Sequence, residues 1–273
     1  LTIPCRANGW TGAMSLASEW VAVDLALLGQ AADARCVEGD YVGAAAIAKT
    51  ILLRLPRHLP TYQRLLQIAW TLKNWPEGED WARRLLQADP GNALAWRSLA
   101  QAVAHKGLRS AAWAMWKRAF EADPYDPEIR SGLSGASLTR QGDALMLDSA
   151  CLGALYLRGE RWPHAASAYR ALVQADDRRI DFQMNWLLAL WQGGVRQEAY
   201  RLAHTLSRRQ PHLLVAWAVL GALGDVNDRT LARSPLASMD PDREYLATRY
   251  RLPVERQATT IRISTKEAES LQT

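Results

Sequence analysis

Three prolines, Pro56, Pro90 and Pro124, stand 34 residues apart, and the latter two sit in matching phrases, LLQADPGNALAW and AFEADPYDPEIR. A recurrence at this period constrains the chain more than any local propensity. Each period holds one supersecondary unit, and such a unit buries its apolar face only against copies of itself. Between the prolines the pattern is helical. Trp96, Leu99, Ala100 and Val103 fall on one face of a first helix, and Gly107 marks a turn. Ala112, Trp116 and Ala119 then line a second helix, which Pro124 stops because its ring forbids continuation. Small Ala112 lets the two helices approach closely.

Units of the same kind run over residues 25–58 and 59–92, with turn residues Gly39-Asp40-Tyr41 and Lys73-Asn74-Trp75. Others follow over 146–179, with turn residues 159–162, and 180–213, with Gly193-Gly194. This sequence of large, small and aromatic positions resembles the tetratricopeptide (TPR) family. The resemblance covers about residues 25–224 and implies an all-α, right-handed superhelical array of helical hairpins, an α-solenoid. Five units are expected, plus two unpaired first helices, 127–140 and 214–223. Residues 14–24 are expected to continue the first helix or to form a short N-terminal cap.

After Pro124 the phase slips, and Gln141-Gly142-Asp143 interrupts the pattern. The expected organisation is an N-terminal sub-array over 1–140, a C-terminal sub-array over 141–224, and an irregular tail over 225–273. Ser-Pro at 234–235, Asp-Pro at 240–241 and Leu-Pro at 252–253 break that tail into short pieces. One short helix at 242–251 and a strand at 259–264 are expected in it, as a cap or a linker.

In the TPR family the first helix of each unit lines the concave face, so first-helix residues off the packing face are the candidate partner-binding set. In the early units these include Gln63, Arg64, Gln67, Trp70, Arg97, Gln101 and His105, polar and partly cationic, a surface suited to backbone amides and carboxylates of an extended peptide. In the later units they include Arg158, Met184, Asn185, Leu188 and Trp191, more apolar and suited to a partner helix. The Lys, Asn and Arg clamp by which some TPR proteins hold chaperone tails is missing; its places hold Gln63, Gln67, Ser98, Glu128 and Gly132. Trp75, Trp162 and Tyr41 fall in turns and read as structural covers.

Composition narrows the chemistry. Hydrophobic residues make up 49%, enough for a continuous core, and a net charge of +5 over 273 residues is a weak argument for nucleic acid. Lys occurs five times, so arginine supplies nearly all the positive charge, a usage that suits a GC-rich coding sequence as well as a selected ligand. The first-helix places do not repeat a base-reading code, so an RNA-binding helical repeat is the weakest alternative. Cys5, Cys36 and Cys151 lack zinc spacing and read as reduced thiols. The five histidines form no HExxH motif, and no GxSxG, P-loop or GxGxxG phrase occurs.

The expectation is therefore a non-catalytic scaffold without cofactor or metal, whose partner is another protein rather than a small-molecule substrate. A structural or assembly subunit of a larger complex is the alternative. No apolar run approaches a membrane span, and a cytoplasmic location is expected. LTIPC has the look of a lipoprotein cleavage site, but Pro4 is a poor residue before the cysteine; a removed leader or anchor stays open.

Overall fold

The computed structural model describes residues 20–136, 145–252 and 254–271. Its helices pair as consecutive antiparallel hairpins: α1 (Leu25–Glu38) with α2 (Tyr41–Arg54), α3 (Leu59–Thr71) with α4 (Trp75–Ala88), and α5 (Ala93–His105) with α6 (Arg109–Ala122). After the single helix α7 (Pro127–Ala136) come α8 (Ser149–Arg158) with α9 (Trp162–Ala175), and α10 (Ile180–Gln192) with α11 (Arg196–Arg209). The chain is thus the expected all-α solenoid, with the five expected hairpins in place.

Three local devices recur at the sequence period and explain the pattern. The turn between helices passes through a left-handed residue at Gly39, Lys73 and Gly107, and again at Glu160 and Gly194. The interval from 107 to 160 is 53 residues rather than 34, which is the phase slip seen in the sequence. Beyond the second helix of each of these five hairpins, a carbonyl accepts a side chain from six residues further on. Trp96 donates to the Pro90 carbonyl at 2.7 Å, Arg130 to Pro124 at 3.1 Å and Trp217 to Pro211 at 2.9 Å. Tyr62 to Pro56 and Gln183 to Asp177 complete the series. Small residues admit large neighbours: a Cβ on Gly153 of α8 would lie 3.0 Å from the Tyr169 ring of α9.

Two expectations are corrected. Helix α12 (Leu214–Leu223) is not unpaired, because α13 (Val226–Met239) packs against it as a sixth hairpin. A capping box, Asp225 with Asp228, starts α13, and it ends at Asp240 with φ −152° and ψ 66°, much as α11 ends at Gln210 with φ −132° and ψ 76°. Pro235 lies inside it. An internal proline costs ~3 kcal/mol, but burial of Leu236 and Met239 returns roughly 1.5–3 kcal/mol for each side chain. The chain before α1 is also not helical over its described part, where β1 (Trp20–Asp24) forms a strand.

The tail beyond α13 is ordered by long-range contacts. It carries α14 (Glu244–Arg249), β2 (Thr260–Ser264) and α15 (Thr265–Ser270), close to the expected short helix and strand. Strand β2 pairs antiparallel with β1, Val23 opposite Ile261, so the tail caps the first hairpin rather than the last. Ile261, Ile263 and Ala268 share a small core with Val23, Leu28, Ile47 and Ile51. The main core runs from Leu59 through Phe120, Leu133 and Cys151 to Leu252 as one cluster. Most of the expected break near 141–145 lies outside the described residues, but the core on either side of it is continuous.

Because Lys73 (φ 54°) and Glu160 (φ 56°) occupy turn positions that glycine fills in the other hairpins, they carry backbone strain. Lys73→Gly and Glu160→Gly are each expected to stabilise the chain by about 1 kcal/mol in urea denaturation, and Gly107→Ala to destabilise it by a similar amount.

Candidate interaction groove

First helices of neighbouring hairpins contact one another, α1 with α3, α3 with α5 and α8 with α10, and the tail packs against α3 through α14. At the centre is Asp89, the residue that ends α4. Its carboxylate is fully buried and accepts from the Gly91 N–H at 3.2 Å, the Asn92 amide at 3.4 Å, the Tyr245 hydroxyl at 2.9 Å and Arg249 Nε at 2.9 Å. Arg249 also donates to the Gly91 carbonyl at 2.9 Å. Burial alone would lower the Arg249 pKa, but the Asp89 carboxylate outweighs it and holds the guanidinium charged. Burial, reinforced by Asp89, pushes the phenols of Tyr245 and Tyr250 well up, so both remain neutral donors.

Around this hub the tail engages several of the expected partner-binding residues. Arg64 is held by Asp33 at 2.8 Å and by Glu244 of α14 at 2.6 Å. Met184 is fully buried and accepts from the Tyr250 hydroxyl at 3.6 Å, and Leu188 is also buried. As free partner surface, Met184, Leu188 and Arg64 are therefore corrected: the chain's own tail and packing cover them. Trp191 is half-buried in a recess beside Arg243, Leu246 and Val254 of the tail. Nothing in the 34-residue pattern marks the tail contacts, because Asp89 and Tyr245 are 156 residues apart.

The structure brings a second group together. The Arg97 guanidinium stacks 4.2 Å from the Trp70 ring, and Trp70 meets Trp75 edge to face at 5.6 Å. Trp75, expected only as a turn cover, extends this row to His105 at 6.2 Å. Arg97 pairs with Glu128 and, at 3.5 Å, with Asp126. Gln63 and Gln101 are half-buried, and Gln67 is exposed beside Arg64 in a shallow recess with Asp33 and Thr71.

Where the tail leaves the inner face, a cleft of about 370 Å³ stays open. Arg158 of α8 and Asn185 and Gln192 of α10 form one wall, and Arg249, Tyr250 and Arg251 of the tail form the other. Arg158 is paired with Asp123 at 2.9 Å, and Asn185 donates to the Tyr169 hydroxyl at 3.1 Å. Arg251, with φ 51°, is exposed and has no carboxylate within 4 Å among the described residues. It was not among the sequence candidates, since it lies outside the repeat.

Among the described residues, no three histidine, cysteine or acidic side chains converge as a metal site. Burial pushes the Cys151 thiol up to about 12, so it is not a thiolate at neutral pH. No described helix is long and apolar enough to cross a membrane.

No family model matches the chain, and no curated protein matches it. Solved structures do. The chain is similar to a chain in a structure of Naa15/Naa10 bound to HypK-THB, with 15% identity and a TM-score of 0.32 over 83% of this chain. That match covers 34% of the other chain, so this chain spans about a third of its length. It is also similar to PilW, a widely conserved type IV pilus biogenesis factor, with 16% identity and a TM-score of 0.35 over 82% of this chain and 96% of that one.

Two outcomes follow for the tail. Asp89→Ala leaves Arg249 unpaired and is expected to cost about 3–5 kcal/mol, read as loss of stability and faster proteolysis after α13. Asp240, whose oxygens accept from the Tyr245 and Leu246 N–H groups at 2.9 Å each, is raised from 3.8 to about 6 by burial. A carboxyl raised in the folded state favours folding as it gains its proton. Its contribution should therefore grow as pH falls from about 6 to about 4, and Asp240→Asn should flatten the denaturation profile across that window.

Proposed function

We propose that this chain is a TPR-type, non-catalytic scaffold that binds another protein through the inner face of its solenoid. The partner segment lies in the open cleft between α8, α10 and the tail. The supporting observation is that this face already holds a peptide. Residues 240–252 of the tail are seated by buried hydrogen bonds to Asp89 and Asn92 in the connection between α4 and α5, and by the ion pair to Arg64 of the first helix α3. The face therefore offers both main-chain and side-chain partners to an extended or singly turned segment.

The cleft continues that surface and presents Arg158 and Arg251 with Asn185 and Gln192. Guanidinium groups in such a place suit carboxylates, and the amides suit peptide main chain. The partner is thus a segment carrying acidic side chains. The location proposed is the cytoplasm.

Partner capture from the native source by wild-type chain and by an Arg158→Glu, Arg251→Glu variant tests this reading, with crosslinks locating the bound segment. The variant is expected to lose partners whose crosslinks fall on α8 and α10. Undiminished capture by a folded variant would count against the cleft.

A further inference from the structure

The solenoid also meets itself at a seam between its first and last parts. The loop after α2 touches the loop between α11 and α12, where the Arg57 guanidinium donates to Nδ1 of His212, 155 residues away. Arg84 of α4 shares the rim; its guanidinium lies 5.1 Å from the Trp81 ring, which packs on Tyr62 at 5.6 Å.

These groups border a cleft of about 310 Å³ whose floor is Leu59, Tyr62, Ala88 and Met239. The floor is buried and the rim exposed. No carboxylate lines the cleft, and among the described residues neither Arg57 nor Arg84 has one within 4 Å. The adjoining acidic groups are engaged elsewhere: Asp240 by the backbone of α14, and Asp242 opposite His58 at 3.7 Å.

We propose that this seam is a binding site for a small organic oxyanion, a carboxylate or phosphate group on an apolar body, held by Arg57, Arg84 and His212. The guanidinium forks match either oxyanion in hydrogen-bond geometry. An anion at this rim gains the guanidinium donors of Arg57 and Arg84, neither of which has a carboxylate within 4 Å among the described residues. The aromatic and aliphatic floor receives the body of the ligand, and the volume suits a single-ring compound. Arg57 and His212 reach the site from opposite ends of the repeat, so the clamp is complete only when the solenoid is closed. The site is separate from the protein-binding groove and does not depend on it.

Calorimetric titration of the full chain with phenyl phosphate, benzoate and inorganic phosphate tests the site and separates the two oxyanion sources. At least one aromatic anion is expected to bind saturably at one site, about tenfold or more tighter than inorganic phosphate, because only it buries a ring. Arg57→Gln and Arg84→Gln should each weaken binding by about tenfold or more, and Arg109→Gln, exposed on α6, should not. Arg84→Gln leaves the Arg57–His212 contact intact, so it remains informative if Arg57→Gln disturbs the seam. Absence of saturable binding by either aromatic anion, full binding by both clamp variants, or equal affinity for inorganic phosphate would overturn the proposal.

Discussion

The buried carboxylate of Asp89 is the constraint on which the inner face depends. A carboxylate removed from water is tolerable only when its oxygens are satisfied and its charge opposed. Here the repeat supplies Gly91 and Asn92, and the tail supplies Tyr245 and Arg249. The two halves of this network come from segments that share no local pattern. Gly91 takes part because it has no side chain: a Cβ there would stand 2.8 Å from Met184 Cε. One position therefore lets α4, α10 and the tail converge.

The solenoid itself was legible in the sequence because its determinants are local and repeat. Prolines ending second helices, glycines at left-handed turns and small residues opposite aromatic ones each act within one hairpin. What was not legible is non-local. Helix α13 was hidden by Pro235, whose cost is visible locally, while the burial of Leu236 and Met239 that offsets it is not. Strand β1 has no local signature that separates it from a continued helix or a short cap, because its partner β2 lies some 240 residues away. Of the candidate groove residues, Arg158 and Asn185 border the open cleft, Leu188 lies in the main core, and the cover of Arg64 and Met184 comes in part from the distant tail.

Arginine usage gains a physical meaning in the folded chain. Arg64 bridges Asp33 and Glu244, Arg179 bridges Glu121 and Asp181, and Arg97 lies over Trp70 while paired to Glu128. These are two-sided contacts for which the planar guanidinium fork is well suited. Whatever set the codon usage, several arginines act as cross-braces between hairpins and between the array and its tail. Among the arginines with no carboxylate within 4 Å in the described residues, Arg57, Arg84 and Arg251 border open clefts.

The β1–β2 ribbon has a consequence for how this chain comes apart. In an open array each hairpin depends only on its neighbours, so terminal units fray first and stability grows unit by unit. Here the strand before the first hairpin is zipped to the strand near the far end of the tail. The first hairpin cannot loosen without also releasing the ribbon and the Arg54–Glu267 pair beside it. The first hairpin has thereby acquired a long-range partner that an open array lacks, and its unfolding is tied to opening a loop of some 240 residues.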